Sequence, residues 1–378
     1  MANKKKQYDI PLFRLEYSED FIDEFCQEAR SILRRGFLSE GPLSRQWEKD
    51  FAKFQQVPAA LSVTSCTTGL EAILKAIDVR GKDVLIPSNT YFATATAVEA
   101  AGGNPVLLDC DIQTFSICER DLLNKLDPTV GAVIVVHVGG IIADNILGIK
   151  QACDNLGIPL VEDAAHAHGS YLSKDVVAGN IGIAGSFSFF PTKVMTTGEG
   201  GMITGRQDFL NKAKLIKNFG ADPDHERKCI VEQGSNYRIH EFTALLGILE
   251  NRRAEERINR RGILADRYLA NLAGSNYVPV TQRIGRCAYY KMILMTDKIS
   301  IADPISVFCK QNNVQLTGQV YETPIHKQPR YQQQYSGVHL PNTDIVSRCH
   351  ICPPLYPELT EDEVDYACEV LLKYPGAV

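Results

Sequence analysis

No stretch of this 378-residue chain approaches the roughly 18 to 20 consecutive apolar residues of a membrane-spanning helix. Positive charge is not in excess either. The formal net charge is −5, whereas a nucleic-acid binder is expected to show a basic stripe. The short basic run Lys4-Lys5-Lys6 is followed by no apolar segment, so it reads as a flexible terminus and no secretory leader is expected. The phosphate-binding loop GxxxxGK[ST] is missing. So is a GxGxxG after an early strand, and a dinucleotide fold loses its main support. Cys349-His-Ile-Cys352 lacks a second Cys or His pair at zinc-site spacing, so no metal is expected. The eleven cysteines are scattered and odd in number, which predicts reduced thiols in a cytoplasmic protein.

What is present is ordinary in bulk. Hydrophobic residues make up 44% and charged residues 22%, as in soluble globular proteins, and the length suggests two lobes. Residues 1–18 read as an extended arm. Residues 19–35 carry Phe21, Phe25, Ala29 and Leu33 at helical spacing. After Ser39-Glu-Gly-Pro42 a second helix is predicted to about Phe54. Short apolar runs then alternate with helical patterns. Strands are predicted at 59–63, 84–86, 105–108, 132–136 and 159–161, with helices at 67–77, 93–101 and 145–156. Such alternation means a mostly parallel sheet covered on both faces. A long helix is predicted from Ile239, then a strand over 288–294 and a last helix over 361–372. The expected domains are a large α/β domain over 19–245 and a smaller α+β C-terminal domain over 246–378.

Chemistry concentrates at Ser186-Phe-Ser-Phe-Phe-Pro-Thr-Lys193, which leads into Gly198-Glu-Gly-Gly201. A lysine between a strand end and a glycine-rich turn stands where α/β enzymes expose reactive groups. Lysine condenses with carbonyls, and pyridoxal phosphate is the commonest such partner. Thirty residues earlier, Asp163 ends an apolar strand, where a carboxylate can keep a pyridine nitrogen protonated. His166 and His168 follow it; one could lie over a cofactor, and His168 is expected to be structural. Thr64-Ser-Cys66-Thr67-Thr68-Gly69 links a strand to a helix and offers an anion site or a plain N-cap. Ser188 could also bind phosphate. Tyr91 could stack on a flat ring, whereas Phe92 is expected in the core.

As an ordered set these segments resemble the DegT-type nucleotide-sugar aminotransferases, within the fold-type I pyridoxal phosphate enzymes. The segments are Glu162-Asp-Ala-Ala165, Ser188 to Lys193, Gly198 to Gly201 and Asn236-Tyr-Arg238. The resemblance extends from Gly36-Phe-Leu-Ser39-Glu-Gly-Pro42 to Pro353-Pro-Leu-Tyr-Pro357. It implies Lys193 as the Schiff-base lysine, Asp163 on the pyridine nitrogen and Tyr91 on the ring. Cys66 (through its backbone N–H), Thr67 and Ser188 would surround the phosphate, and His166 would lie near the cofactor hydroxyl. Asn236 would reach the phosphate of a neighbouring subunit, which implies a homodimer with shared sites. His326 would lie near the sugar. One branch of the family has histidine in place of the lysine and dehydrates sugars; Lys193 favours transamination. The implied reaction takes an amino group from an amino acid, with L-glutamate expected. A pyridoxamine form then passes it to a nucleotide-linked keto-sugar. A cyclitol ketone as acceptor, or a non-catalytic regulator keeping the cofactor pocket, are the alternatives.

Overall fold

The computed structural model describes residues 8–222, 229–296 and 302–375, so Lys4-Lys5-Lys6 lies outside the described residues. The chain begins with α1 (Glu19–Arg35) and α2 (Pro42–Gln55). The α/β alternation follows: β1 (Ala59–Val63), α3 (Cys66–Ala76), β2 (Asp83–Pro87), α4 (Phe92–Ala100), β3 (Asn104–Leu108), α5 (Glu119–Lys125), β4 (Ala132–Val136), α6 (Ile146–Leu156) and β5 (Leu160–Asp163). A small hairpin, β6 (Tyr171–Ser173) and β7 (Val176–Val177), precedes β8 (Ala184–Ser188), β9 (Gly201–Gly205) and α7 (Gln207–Lys217). The long α8 (Glu241–Asn271) leads to β10 (Tyr277–Val280), β11 (Ile293–Thr296), α9 (Ala302–Gln311), α10 (Pro341–Arg348), β12 (His350–Ile351) and α11 (Glu361–Lys373).

The large sheet has the order β1-β9-β8-β5-β4-β2-β3. Only β9 runs against its neighbours, pairing antiparallel with both β1 and β8. Continuous apolar strands such as Ala132–Val136, buried at every residue, need cover on both faces. One face packs Leu70, Ile73, Val98 and Leu210 from α3, α4 and α7. The other packs Trp47, Phe51, Ile149 and Ile248 from α2, α6 and α8. The fold is thus α/β with a mostly parallel sheet, as the alternating runs predict.

A second core gathers on the three-stranded sheet β10-β11-β12, with Leu264, Tyr268, Ile305, Val364 and Leu371. The early part of α8 packs in the first core and its later part in the second, so this helix joins the two. The arm docks on the second core: Ile10 pairs with Val314 and is fully buried there.

The long helix, expected from about Ile239, starts at Glu241. Two expectations are corrected. Residues 288–292 are not a strand; Tyr289 has a positive φ of 49°, and regular pairing begins only at Ile293. Phe92 is 48% exposed and tilts against Tyr91 at 4.0 Å between ring centroids, so it is not a core residue.

Glu241 closes the junction between α2 and α8. Its carboxylate accepts from the N–H groups of Gly41, Leu43 and Ser44, each at 2.9 Å, and from Ser44 Oγ at 2.6 Å. α2 begins on Gly41, which has no side chain to cap the helix, so a carboxylate from another helix does so. Removing it orphans several donors in a buried place. Glu241→Ala is therefore expected to cost about 3 kcal/mol or more, read by chemical denaturation.

Candidate active site

Asp163 ends β5 and pairs in register with Val136 of β4 and Ser186 of β8. Its carboxylate lies at the mouth of the sheet, only 6% exposed. Oδ2 accepts from Thr94 Oγ1 at 2.8 Å; Oδ1 accepts from the Ala165 N–H at 3.2 Å and faces the Cys66 thiol at 3.7 Å. Burial raises the Asp163 pKa above the ordinary value, against the pull of these hydrogen bonds and of Lys193. The site thus holds a carboxylate with more hydrogen-bond support than charge compensation.

The adjacent Glu162 points the other way and has a different task. It is fully buried, accepts from the N–H groups of Gly179, Ile181 and Gly182, and is hydrogen-bonded to His137. Two neighbouring acids are thereby divided by strand alternation into a structural one and one at the mouth of the sheet.

Lys193 follows the end of β8 on a turn and is half-buried. Its Nζ lies 4.4 Å from the centroid of the Tyr290 ring. Tyr290 is hydrogen-bonded through its hydroxyl to Thr192 Oγ1 at 3.2 Å, and its ring stacks on His166 at 4.0 Å and 23°. His166 Nδ1 accepts from the Gly139 N–H at 3.3 Å. Burial, followed by the charges of Lys193 and Lys291, pushes the His166 pKa well below the usual value, so the ring is neutral with its proton on Nε2. Tyr321 lies on the other side, parallel to His166 within 19° at 6.0 Å.

The anion side of the site is built on α3. Ser65 caps the helix, bonding reciprocally with Thr68. The N–H groups of Cys66 and Thr67 open the helix and have no carbonyl one turn back. Gly201 pairs with Ser188, and a Cβ on Gly201 would come within 2.3 Å of the Ser65 carbonyl carbon. Only glycine allows this approach, which brings Ser188 beside the start of α3. The Cys66 thiol itself lies between the Ser186 carbonyl, at 3.3 Å, and Asp163 Oδ1, at 3.7 Å.

Residues 19–372 match the DegT/DnrJ/EryC1/StrS aminotransferase family. The chain belongs to that family. This aminotransferase is 31% identical to the spore coat polysaccharide biosynthesis protein SpsC of Bacillus subtilis (strain 168), over 94% of the chain and 96% of the relative. It is 27% identical to GDP-perosamine synthase of Vibrio cholerae, over 89% and 92%. Spr1654 of Streptococcus pneumoniae, solved in a PMP form, shares its fold with a TM-score of 0.88 at 24% identity, covering 96% of each chain. The protein is accordingly a pyridoxal phosphate-dependent sugar aminotransferase of fold type I.

The residues present suit that cofactor. A buried carboxylate with little compensating charge matches a protonated pyridine nitrogen, a helix start matches a phosphate, and a half-buried amine matches an aldehyde. Asp163, Cys66, Ser188, His166 and Lys193 converge at one end of the sheet. Tyr91 immediately precedes α4, half-exposed at 52%, and its backbone meets Tyr321. Asn236 stands apart from this cluster, exposed, with Oδ1 accepting from the Arg238 N–H at 3.4 Å. His326 is buried with both ring nitrogens engaged: Nδ1 with Ser88 Oγ at 2.8 Å and Nε2 with Asp344 at 3.1 Å. It ties the segment carrying Tyr321 to the end of β2. His168 packs edge-on among Phe51, Phe187 and Phe189, and burial lowers its pKa to about 3.

Sequence reading missed Thr94, Tyr290, Tyr321 and Lys291. Thr94 sits one helical turn into α4, a spacing that could have suggested it. The others come from irregular segments of the second core, which no periodicity marks.

Proposed function

We propose that this aminotransferase takes an amino group from an amino acid, L-glutamate being the first candidate, and transfers it to a nucleotide-linked keto-sugar. The observation that carries the reading is the placement of Lys193 and the buried Asp163 at the same mouth of the sheet. The name GDP-perosamine synthase, borne by a relative, contains a nucleotide-linked sugar and supports that acceptor class. When bound, pyridoxal phosphate supplies an aldehyde that condenses with amines and a ring that accepts electrons. Lys193 Nζ would anchor the cofactor and, once freed, would move a proton between the cofactor carbon and the substrate carbon, the donor's in the first half-reaction and the sugar's in the second. Asp163 keeps the ring nitrogen protonated, and the neutral His166 donates from Nε2 near the cofactor hydroxyl. Cys66 and Thr67 N–H groups and the Ser188 hydroxyl hold the phosphate, and Tyr91 covers the ring. We assign His326 to the sugar side through the segment it anchors. We place the protein in the cytoplasm on its scattered, odd number of cysteines; no helix among the described residues is long and apolar enough to cross a membrane.

The test is a panel of nucleotide-linked keto-sugars and keto-inositols offered to the holoprotein with glutamate. Amination of a nucleotide-linked sugar supports the reading. Turnover of a keto-inositol alone moves the protein to cyclitol chemistry. Bleaching by glutamate with no acceptor consumed points to a regulator.

We further propose a homodimer with shared sites, in which Asn236 reaches the partner's phosphate. Bridges of Asn236 with Asn218 and of His240 with Ser39 gather exposed apolar residues around it. Phe37 is 65% exposed, Phe219 47% and Ile230 72%, a surface suited to a second copy. Helix capping does not occupy Asn236, since α8 starts five residues later on. Hydrogen bonds to charged groups are worth about 1.5–3 kcal/mol. Asn236→Ala should therefore weaken cofactor retention about tenfold or more, measured by equilibrium dialysis. Unchanged retention would remove Asn236 from the site.

A further inference from the structure

Lys291 lies in the irregular segment two residues before β11, half-buried. Its Nζ sits 5.3 Å from the centroid of the Tyr290 ring, the ring that Lys193 Nζ approaches to 4.4 Å. Two ammonium groups therefore lie close to one buried aromatic ring. Among the described residues, Lys291 Nζ makes neither a salt bridge nor a hydrogen bond.

The acids already described are engaged elsewhere. Glu162 is consumed by three backbone donors and His137. Asp344 pairs with Lys327 and His326. Asp163 faces the place of the ring nitrogen. The imbalance is felt locally. Burial pushes the Tyr290 hydroxyl up, yet Lys193 and Lys291, helped by the Thr192 hydrogen bond and the buried Arg261, bring its pKa below the usual value. His166 is held neutral by burial and by the same two lysines.

Once Lys193 is engaged by the cofactor, Lys291 is left as an ammonium with neither acid partner nor hydrogen bond among the described residues, whereas the buried Arg261 donates to the Tyr289 and Leu355 carbonyls. A partly desolvated cation without a partner is unfavourable, and an anionic ligand relieves it. Of the two substrates, the amino acid brings a carboxylate next to its reacting carbon, whereas the sugar ketone is neutral where it reacts. We propose that Lys291 binds a carboxylate of the amino donor and so selects amino acids for the first half-reaction. The proposal rests on the reading of Lys193 as the cofactor lysine.

The test uses Lys291→Met, which keeps the length and apolar stem of the side chain, and Lys291→Arg, which restores the charge. Two readouts apply to the full-length holoprotein. One is the glutamate concentration that half-saturates bleaching of the visible absorbance. The other is calorimetric binding of glutarate, a dicarboxylate with no amino group to transfer. A charge-assisted contact predicts that Lys291→Met raises both constants about tenfold or more, with the maximal bleaching rate changed much less. Lys291→Arg should recover most of the loss.

GDP and UDP, titrated in parallel, separate the donor carboxylate from a sugar diphosphate. Weakened GDP or UDP binding with glutarate unchanged would overturn the proposal. So would unchanged glutamate and glutarate constants in Lys291→Met. Borohydride fixation of the cofactor, followed by peptide mass analysis, must find Lys193 in the wild type and in both variants. A label absent from Lys193 in the wild type sinks the underlying reading, and a label on Lys193 with flat constants sinks only the role of Lys291.

Discussion

Lys193→Ala is expected to abolish turnover, lowering it by about ten-thousand-fold, and to remove the visible absorbance of a lysine-bound cofactor. Two functions disappear together. The chain loses the amine proposed to anchor the cofactor, and with it the group proposed to carry the proton between cofactor and substrate carbons. Positioned acid–base groups alone contribute about a hundred- to ten-thousand-fold. No nearby group substitutes for it. The Tyr290 hydroxyl is tied to Thr192, His166 is neutral and stacked, and Lys291 Nζ stands farther from the Tyr290 ring, at 5.3 Å from its centroid. Borohydride should fix cofactor to the wild type and not to the variant. Retained transamination, or fixation at Lys291 with undiminished turnover, would overturn the assignment. The fold should survive, because the lysine side chain makes no hydrogen bond in the core and the turn is held by backbone contacts such as Thr197 N–H to the Phe189 carbonyl.

The parallel sheet was legible because its strands are apolar on both faces and its helices carry a clear stripe. Ala132 to Val136 permits little else than a central strand. Lys193 and Asp163 were legible for a different reason. Each stands where an apolar run stops, and the end of a parallel strand is the place at which side chains meet a ligand. The second core was harder to read. Tyr290 and Tyr321 reach the site from segments without regular hydrogen bonding, positioned by tertiary contacts such as Thr192 with Tyr290. Their place depends on pairings over long sequence separations, to which a local pattern is blind. Phe92 shows the opposite failure: an aromatic in an apolar stretch suggests burial, yet it opens α4 and turns outward beside Tyr91. His326 shows a different limit: nothing local to it in the sequence marks Ser88 and Asp344, which the fold brings to its two nitrogens.

Asp163→Asn should separate charge from shape at the same site. The amide can keep hydrogen-bond contacts with Thr94 Oγ1 and the Ala165 N–H, so the end of β5 and the mouth of the sheet should hold their form. It cannot hold a cofactor nitrogen in its protonated state. Preorganised charge in a buried site is worth about a hundred- to a thousandfold in rate, and a loss of that size is expected. Cofactor should still be fixed at Lys193 by borohydride, which distinguishes this variant from Lys193→Ala. The same substitution has a stability signature whose sign follows from burial. Asp163 has a raised pKa in the folded cofactor-free chain, so its contribution is most favourable below the unfolded-state value. That contribution is lost as pH rises through the folded-state value, because ionisation then takes place in a desolvated position. Cofactor-free Asp163→Asn should lack this decline. Its stability relative to the wild type should improve between acid and neutral pH, followed by thermal melts. Loaded wild type should recover the difference, since the ring nitrogen gives the carboxylate its missing counter-charge. Full turnover in Asp163→Asn, or wild-type and variant melts that run parallel across that pH range, would show that the carboxylate acts neither on the ring nor on the fold as assigned.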